Sequence, residues 1–97
     1  MKKQKAKIKI LKWDPARYIK TEEDVVAYLD AALEEGDAAV VAKVLGDIAR
    51  SKGMAVIAKK SGLGRESLYK TLSKGGNPKL DTLFKVVHAL GLKLKTA

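Results

Sequence analysis

Apolar side chains return every three or four residues along most of this chain, the spacing of helices that bury one face. Val25, Val26, Leu29 and Leu33 follow it first. Val40, Val41, Val44, Leu45, Ile48 and Ala49 repeat it, and so do Leu80, Leu83, Phe84, Val87 and Leu90. Start and stop signals separate these stripes. Thr21 is placed to cap a first helix, with Glu22, Glu23 and Asp24 opposing its dipole. Gly36 ends that helix, and Asp37 caps a second that finishes near Gly53. A third helix is predicted over about 54–60, a tight turn over Ser61-Gly62-Leu63-Gly64, and a fourth helix over about 65–73. Gly75-Gly76-Asn77-Pro78 breaks the chain. The fifth helix starts at Lys79 or Asp81, stops at Gly91 and leaves a short extended tail with Leu92 and Leu94.

Only residues 1–12, MKKQKAKIKILK, alternate with period two. A lone strand has no sheet to join, so this stretch reads as an extended arm. Trp13-Asp14-Pro15 interrupts it, because a residue before proline is pushed out of the helical region, and Ala16 to Ile19 reads as a short turn. With no hairpin signal and no strand–helix alternation, the expected fold is all-α. It is a five-helix bundle over residues 21–97, preceded by a basic N-terminal arm over residues 1–20.

Charge changes the picture more than composition does. The net charge is +9 over 97 residues. Residues 1–20 hold eight Lys/Arg and one Asp, residues 21–50 two Lys/Arg and eight Asp/Glu, and residues 51–97 ten Lys/Arg and two Asp/Glu. A basic arm and a basic second half therefore flank an acidic segment, a distribution that attracts polyanions, nucleic acid above all. The chain has no cysteine, which excludes disulfides and thiolate chemistry and suits a reducing cytoplasm. No apolar run approaches the roughly 20 residues of a membrane span, and the lysine-rich start lacks the apolar stretch of a signal peptide. His88 stands alone, without the partners a metal site needs. No Ser–His–Asp arrangement or phosphate-cradling glycine loop is visible. Neither an enzyme nor a cofactor is expected.

The informative stretch is residues 54–73, MAVIAKKSGLGRESLYKTLS. Two short helices crossing steeply need a small residue at their approach, supplied by Ala58, and a residue tolerant of positive φ in the turn, supplied by Gly62. Leu63 plugs the turn into the core, and Leu68 and Leu72 anchor the inner face of the fourth helix. Its outer face is then a reading surface: Arg65, Glu66 and Ser67 at the N-terminus, Tyr69, Lys70 and Ser73 on later turns. Such a helix enters the major groove of double-stranded DNA, where Arg65 suits a guanine. Glu66 either accepts from a cytosine amine or holds Arg65 in place. Lys70 and Lys74 suit phosphates or bases. Asn77 and Lys79 suit the backbone, beside the N-terminus of the fifth helix. Lys52, Lys59 and Lys60 serve either phosphate attraction or solubility.

From Gly36 onward the chain resembles the helix-turn-helix domain of the lambda-repressor and Cro superfamily. More narrowly it resembles the HigA-like addiction-module antidotes, antitoxins of bacterial type II toxin–antitoxin systems. The likeness rests on WDPARYI with TEEDVVAYLDAALEEGD, on LGDIARSKGM, on SGLGRESLYKTLS and on GNPKLDTLFKVVHALGLKL. It implies a homodimer that represses its own operon at a palindromic operator and neutralises a RelE/ParE-type toxin. It also carries Arg65, Glu66, Tyr69 and Lys70 onto reading positions. Ala55 and Val56 depart from the Ser/Thr and Gln common in that superfamily, and Gly64 replaces its usual Ser cap. The arm fits a segment that orders on a partner, with Trp13, Tyr18 and Ile19 as candidate toxin anchors. A stand-alone or phage-type repressor without a toxin shares the same DNA chemistry.

Overall fold

The structure, a computed structural model, describes residues 15–73 and 75–96. These form a 3-10 turn, Pro15–Tyr18, and five α-helices: α1 (Glu22–Glu35), α2 (Ala38–Lys52), α3 (Met54–Ser61), α4 (Arg65–Thr71) and α5 (Leu80–Ala89). None of the described residues is in a strand. Most of the expected arm falls on residues 1–14, outside the described residues.

The helix boundaries follow from side-chain capping. The Thr21 hydroxyl accepts the Asp24 N–H at 3.0 Å. The Asp24 carboxylate in turn accepts the backbone N–H groups of Lys20 (2.9 Å) and Thr21 (3.0 Å). This reciprocal pair satisfies N–H groups that the first turn cannot. The two backbone donors, Lys20 first, hold the Asp24 carboxyl below the usual aspartate value. Gly36, at φ +73°, closes α1 in the left-handed conformation. Asp37 then accepts the Ala39 N–H at 2.9 Å and opens α2.

α2 is the hub. The 3-10 turn, α1, α3 and α4 all pack on it, and α5 closes the bundle against α3. Its residues Val44 through Ala49 are buried without interruption, as expected of a helix surrounded by others. Around it lie Val25, Leu29 and Ala32 of α1, Met54 and Ile57 of α3, Leu68 and Leu72 at α4, and Val86, Val87, Ala89 and Leu90 of α5.

Two expected stripes are corrected. In α1 the inward row is Val25, Leu29 and Ala32, whereas Val26 and Leu33 are exposed. Successive helical residues differ by about 100° in direction, and α2 covers only one of the two adjacent apolar rows. In α5 Val86 joins the core, whereas Leu80 and Phe84 are exposed. The row covered at Val87 emerges onto the surface near the end of α3, where Phe84 borders a groove with Lys60 and Ser61.

Among the described residues Asp47 is the charged side chain of the core, 1% exposed. Its carboxylate accepts the Tyr28 hydroxyl at 2.7 Å, the Lys43 ammonium at 3.0 Å and the Arg50 guanidinium at 3.0 Å. Desolvation, and then the bond to Asp47, push the Tyr28 phenol above its ordinary value. Among the described residues no buried side-chain polar atom lacks a partner, so this carboxylate is tolerated inside because it is fully satisfied.

Candidate nucleic-acid interface

α3 and α4 are joined by Gly62, Leu63 and Gly64. Gly62 lies at φ +76°, and its N–H donates to the Ala58 carbonyl at 3.0 Å. The Ser61 hydroxyl reinforces the corner, donating to the Ala58 carbonyl (3.2 Å) and accepting the Leu63 N–H (3.3 Å). Leu63 is half-buried against the core. Gly64 starts α4 without a side-chain cap, and its carbonyl accepts the Leu68 N–H at 2.9 Å.

Two leucines and two glycines seat α4. Leu68 and Leu72 are buried at 1% and 4% exposure. At Gly46 of α2 an added Cβ would overlap the Leu72 carbonyl oxygen. The end of α4 therefore rests on the α2 backbone with no side chain between. At Gly76 an added Cβ would overlap the Thr71 carbonyl, because the chain folds back across the end of α4.

With that inner face fixed, Arg65, Glu66, Ser67, Tyr69 and Lys70 are all exposed, as is Ser73 just beyond the helix. α4 ends at Thr71, two residues short of the expected limit. The Ser73 hydroxyl donates to the Lys70 carbonyl at 2.8 Å, so its proton is already engaged. Among the described residues no ion pair joins Arg65 to Glu66, which leaves the idea that Glu66 holds Arg65 without support. Asn77 and Lys79 are exposed at the entry to α5, whose first turn has no side-chain cap. Lys74 lies outside the described residues. Lys59 and Lys60 are exposed, and Lys52 reaches Glu22 at 3.7 Å. His88 is exposed.

The other candidate set is divided. Tyr18 is exposed and Ile19 packs partly into the core, while Trp13 lies outside the described residues. Tyr18 and Ile19 border a mainly apolar groove of about 410 Å³ that continues along Ala27, Tyr28 and Ala31 of α1.

Sequence reading overlooked the opposite side of the 3-10 turn. There Arg17 and Arg50 line a cleft together with Tyr69 of α4. No local spacing could reveal it, because the three residues come from three separate elements. The available hint was Lys43–Asp47–Arg50, whose i−4 and i+3 spacing places two cations around one acid.

Residues 9–97 match the family described as "Probable addiction module antidote protein". The chain belongs to this antidote family. A similar protein, an uncharacterized protein of Haemophilus influenzae, is 41% identical over 83 residues, which is 86% of each chain. No solved structure matches. The antidote match spans every helix of the bundle, and an antidote implies a toxin partner of some kind. Among the described residues, no helix of this antidote is long and apolar enough to cross a membrane.

Proposed function

We propose that this antidote is an autoregulating antitoxin of a type II toxin–antitoxin system, acting in the cytoplasm. It binds and neutralises a RelE/ParE-type toxin, and it represses its own operon by sequence-specific binding to double-stranded DNA. The observation that carries the DNA half is the exposure of Arg65, Glu66, Ser67, Tyr69 and Lys70 together on a helix pinned from behind by Leu68 and Leu72. The major groove admits one such helix.

In this reading residues 54–73 form the helix-turn-helix of a lambda-repressor-type domain spanning residues 21–97. Arg65 pairs with a guanine and Glu66 accepts from a cytosine amine. Tyr69 and Lys70 reach bases or phosphates further along, and Ser73 contributes an acceptor. Lys74, Asn77 and Lys79 hold the backbone at the entry to α5, whose uncapped amides favour phosphate. A homodimer sets two copies of α4 about 34 Å apart, one turn of a palindromic operator. The exposed Leu80, Phe84 and Leu94 offer apolar surface for that pairing.

The basic segment 1–20 meets the toxin, with Trp13, Tyr18 and Ile19 as anchors. Membership of an antidote family favours this reading over a stand-alone or phage-type repressor.

Fluorescence anisotropy with the operon's own promoter duplex tests the DNA half. Arg65→Ala with Lys70→Ala should weaken binding, the arginine alone by about 1–3 kcal/mol, and relax sequence preference. Unchanged affinity refutes the recognition role of α4. Co-purification of the chain expressed from its native operon tests the toxin half, which fails if no toxin-like protein accompanies it.

A further inference from the structure

The 3-10 turn has two working sides. Pro15, Tyr18 and Ile19 border the groove along α1. Ala16 and Arg17 turn the other way and line, with Arg50, Ser51, Met54 and Tyr69, an open cleft of about 440 Å³. This second cleft joins three elements: the turn, the junction of α2 with α3, and the outward side of α4. Among the described residues no carboxylate lines it. Arg50 is paired with the buried Asp47 at 3.0 Å, which restrains the guanidinium. Ser51 spends its hydroxyl proton on the Ile48 carbonyl at 2.6 Å. Arg17 is exposed and stands in none of the ion pairs among the described residues. Tyr69 is 46% exposed and is common to this cleft and the α4 surface.

We infer that this cleft is a phosphodiester seat, with Arg17 as its principal cation and the Tyr69 hydroxyl as a second donor. The occupant is a backbone phosphate of the duplex that α4 reads, so the inference rests on the DNA-binding reading above and extends the interface into the N-terminal segment. A planar guanidinium matches a phosphate's paired oxygens, and a duplex lying along α4 carries a line of phosphates past its flank. Such a contact sets register without reading sequence. Arg17 therefore serves the DNA, while its neighbour Tyr18, on the opposite side of the same turn, does not.

The test compares Arg17→Ala, Arg17→Glu and Tyr18→Ala with the unaltered full chain. The probes are the promoter duplex and a scrambled duplex of equal length, read by anisotropy between about 50 and 200 mM salt. Arg17→Ala should weaken both duplexes by the same factor, about fivefold, and lower the salt slope by about one phosphate's share. Arg17→Glu should weaken both further, and Tyr18→Ala should leave both unchanged. Both positions are exposed, and matching thermal midpoints by circular dichroism exclude unfolding as the cause. Arg17 variants that keep both affinity and slope, while Arg65→Ala with Lys70→Ala loses affinity, refute the phosphate seat and spare the DNA reading. Loss confined to the promoter duplex overturns the backbone role. If the Arg65 and Lys70 variant also binds normally, the DNA reading itself falls.

Discussion

Asp47 has three partners and almost no contact with water. Asp47→Ala would strand the Tyr28 hydroxyl in a part-buried site and release Lys43 and Arg50, so a loss of about 2–3 kcal/mol is expected in urea unfolding. Tyr28→Phe removes one of the three bonds and should cost about 1 kcal/mol. That phenol also links stability to alkali. Its value is raised in the fold above the ordinary 10.0, so the folded chain keeps a proton that the unfolded chain gives up. The contribution is complete below pH 10.0 and is lost as pH climbs beyond it. Urea midpoints of the wild type and Tyr28→Phe, measured from about pH 8 to about pH 11, should therefore converge at the alkaline end. The two cations follow from their spacing around Asp47, but neither its burial nor its bond to Tyr28 was legible in the sequence. An acid in mid-helix reads as solvent-facing until a tyrosine nineteen residues earlier is known to lie against it.

Helix limits were legible because they depend on chemistry within a few residues: Thr21 with Asp24, Asp37 with Ala39, and Gly62 with Ala58. Which apolar row turns inward was not. Val25 and Val26 are chemically equivalent, and only the position of α2 decides between them. Two glycines give elements their places by different means. Gly62 has φ +76° with open space around its missing Cβ, so Gly62→Ala should cost about 1 kcal/mol through backbone strain alone and leave α4 in position. Gly46 is an ordinary helical residue, but a methyl there overlaps the Leu72 carbonyl. Gly46→Ala should cost about 1–3 kcal/mol through overpacking and displace α4. Amide chemical shifts over residues 65–72 should move in the Gly46 variant and hold in the Gly62 variant. Promoter affinity should follow the same division.

At the scale of the molecule, an acidic α1 separates two basic ends, and apolar surface remains uncovered at Leu80 and Phe84. If copies pair through that row, Leu80→Ser with Phe84→Ser should shift sedimentation toward a monomer. The melting temperature extrapolated to low concentration should stay near that of the wild type, because neither side chain belongs to the monomer core. The outward set on α4 was legible from Leu68 and Leu72, whose spacing fixes which side faces in. Arg17 was not, because its relation to Tyr69 exists only after α2 brings the two together. The way α4 is seated has a further consequence. Its anchoring uses Leu68, Leu72 and the bare backbone at Gly46, and draws nothing from the side chains of Arg65, Glu66, Ser67, Tyr69 or Lys70. Those positions act as an interchangeable cassette. A lineage can rewrite them after gene duplication, each exposed change typically within about 0.5 kcal/mol, and acquire a new target while inheriting the same fold.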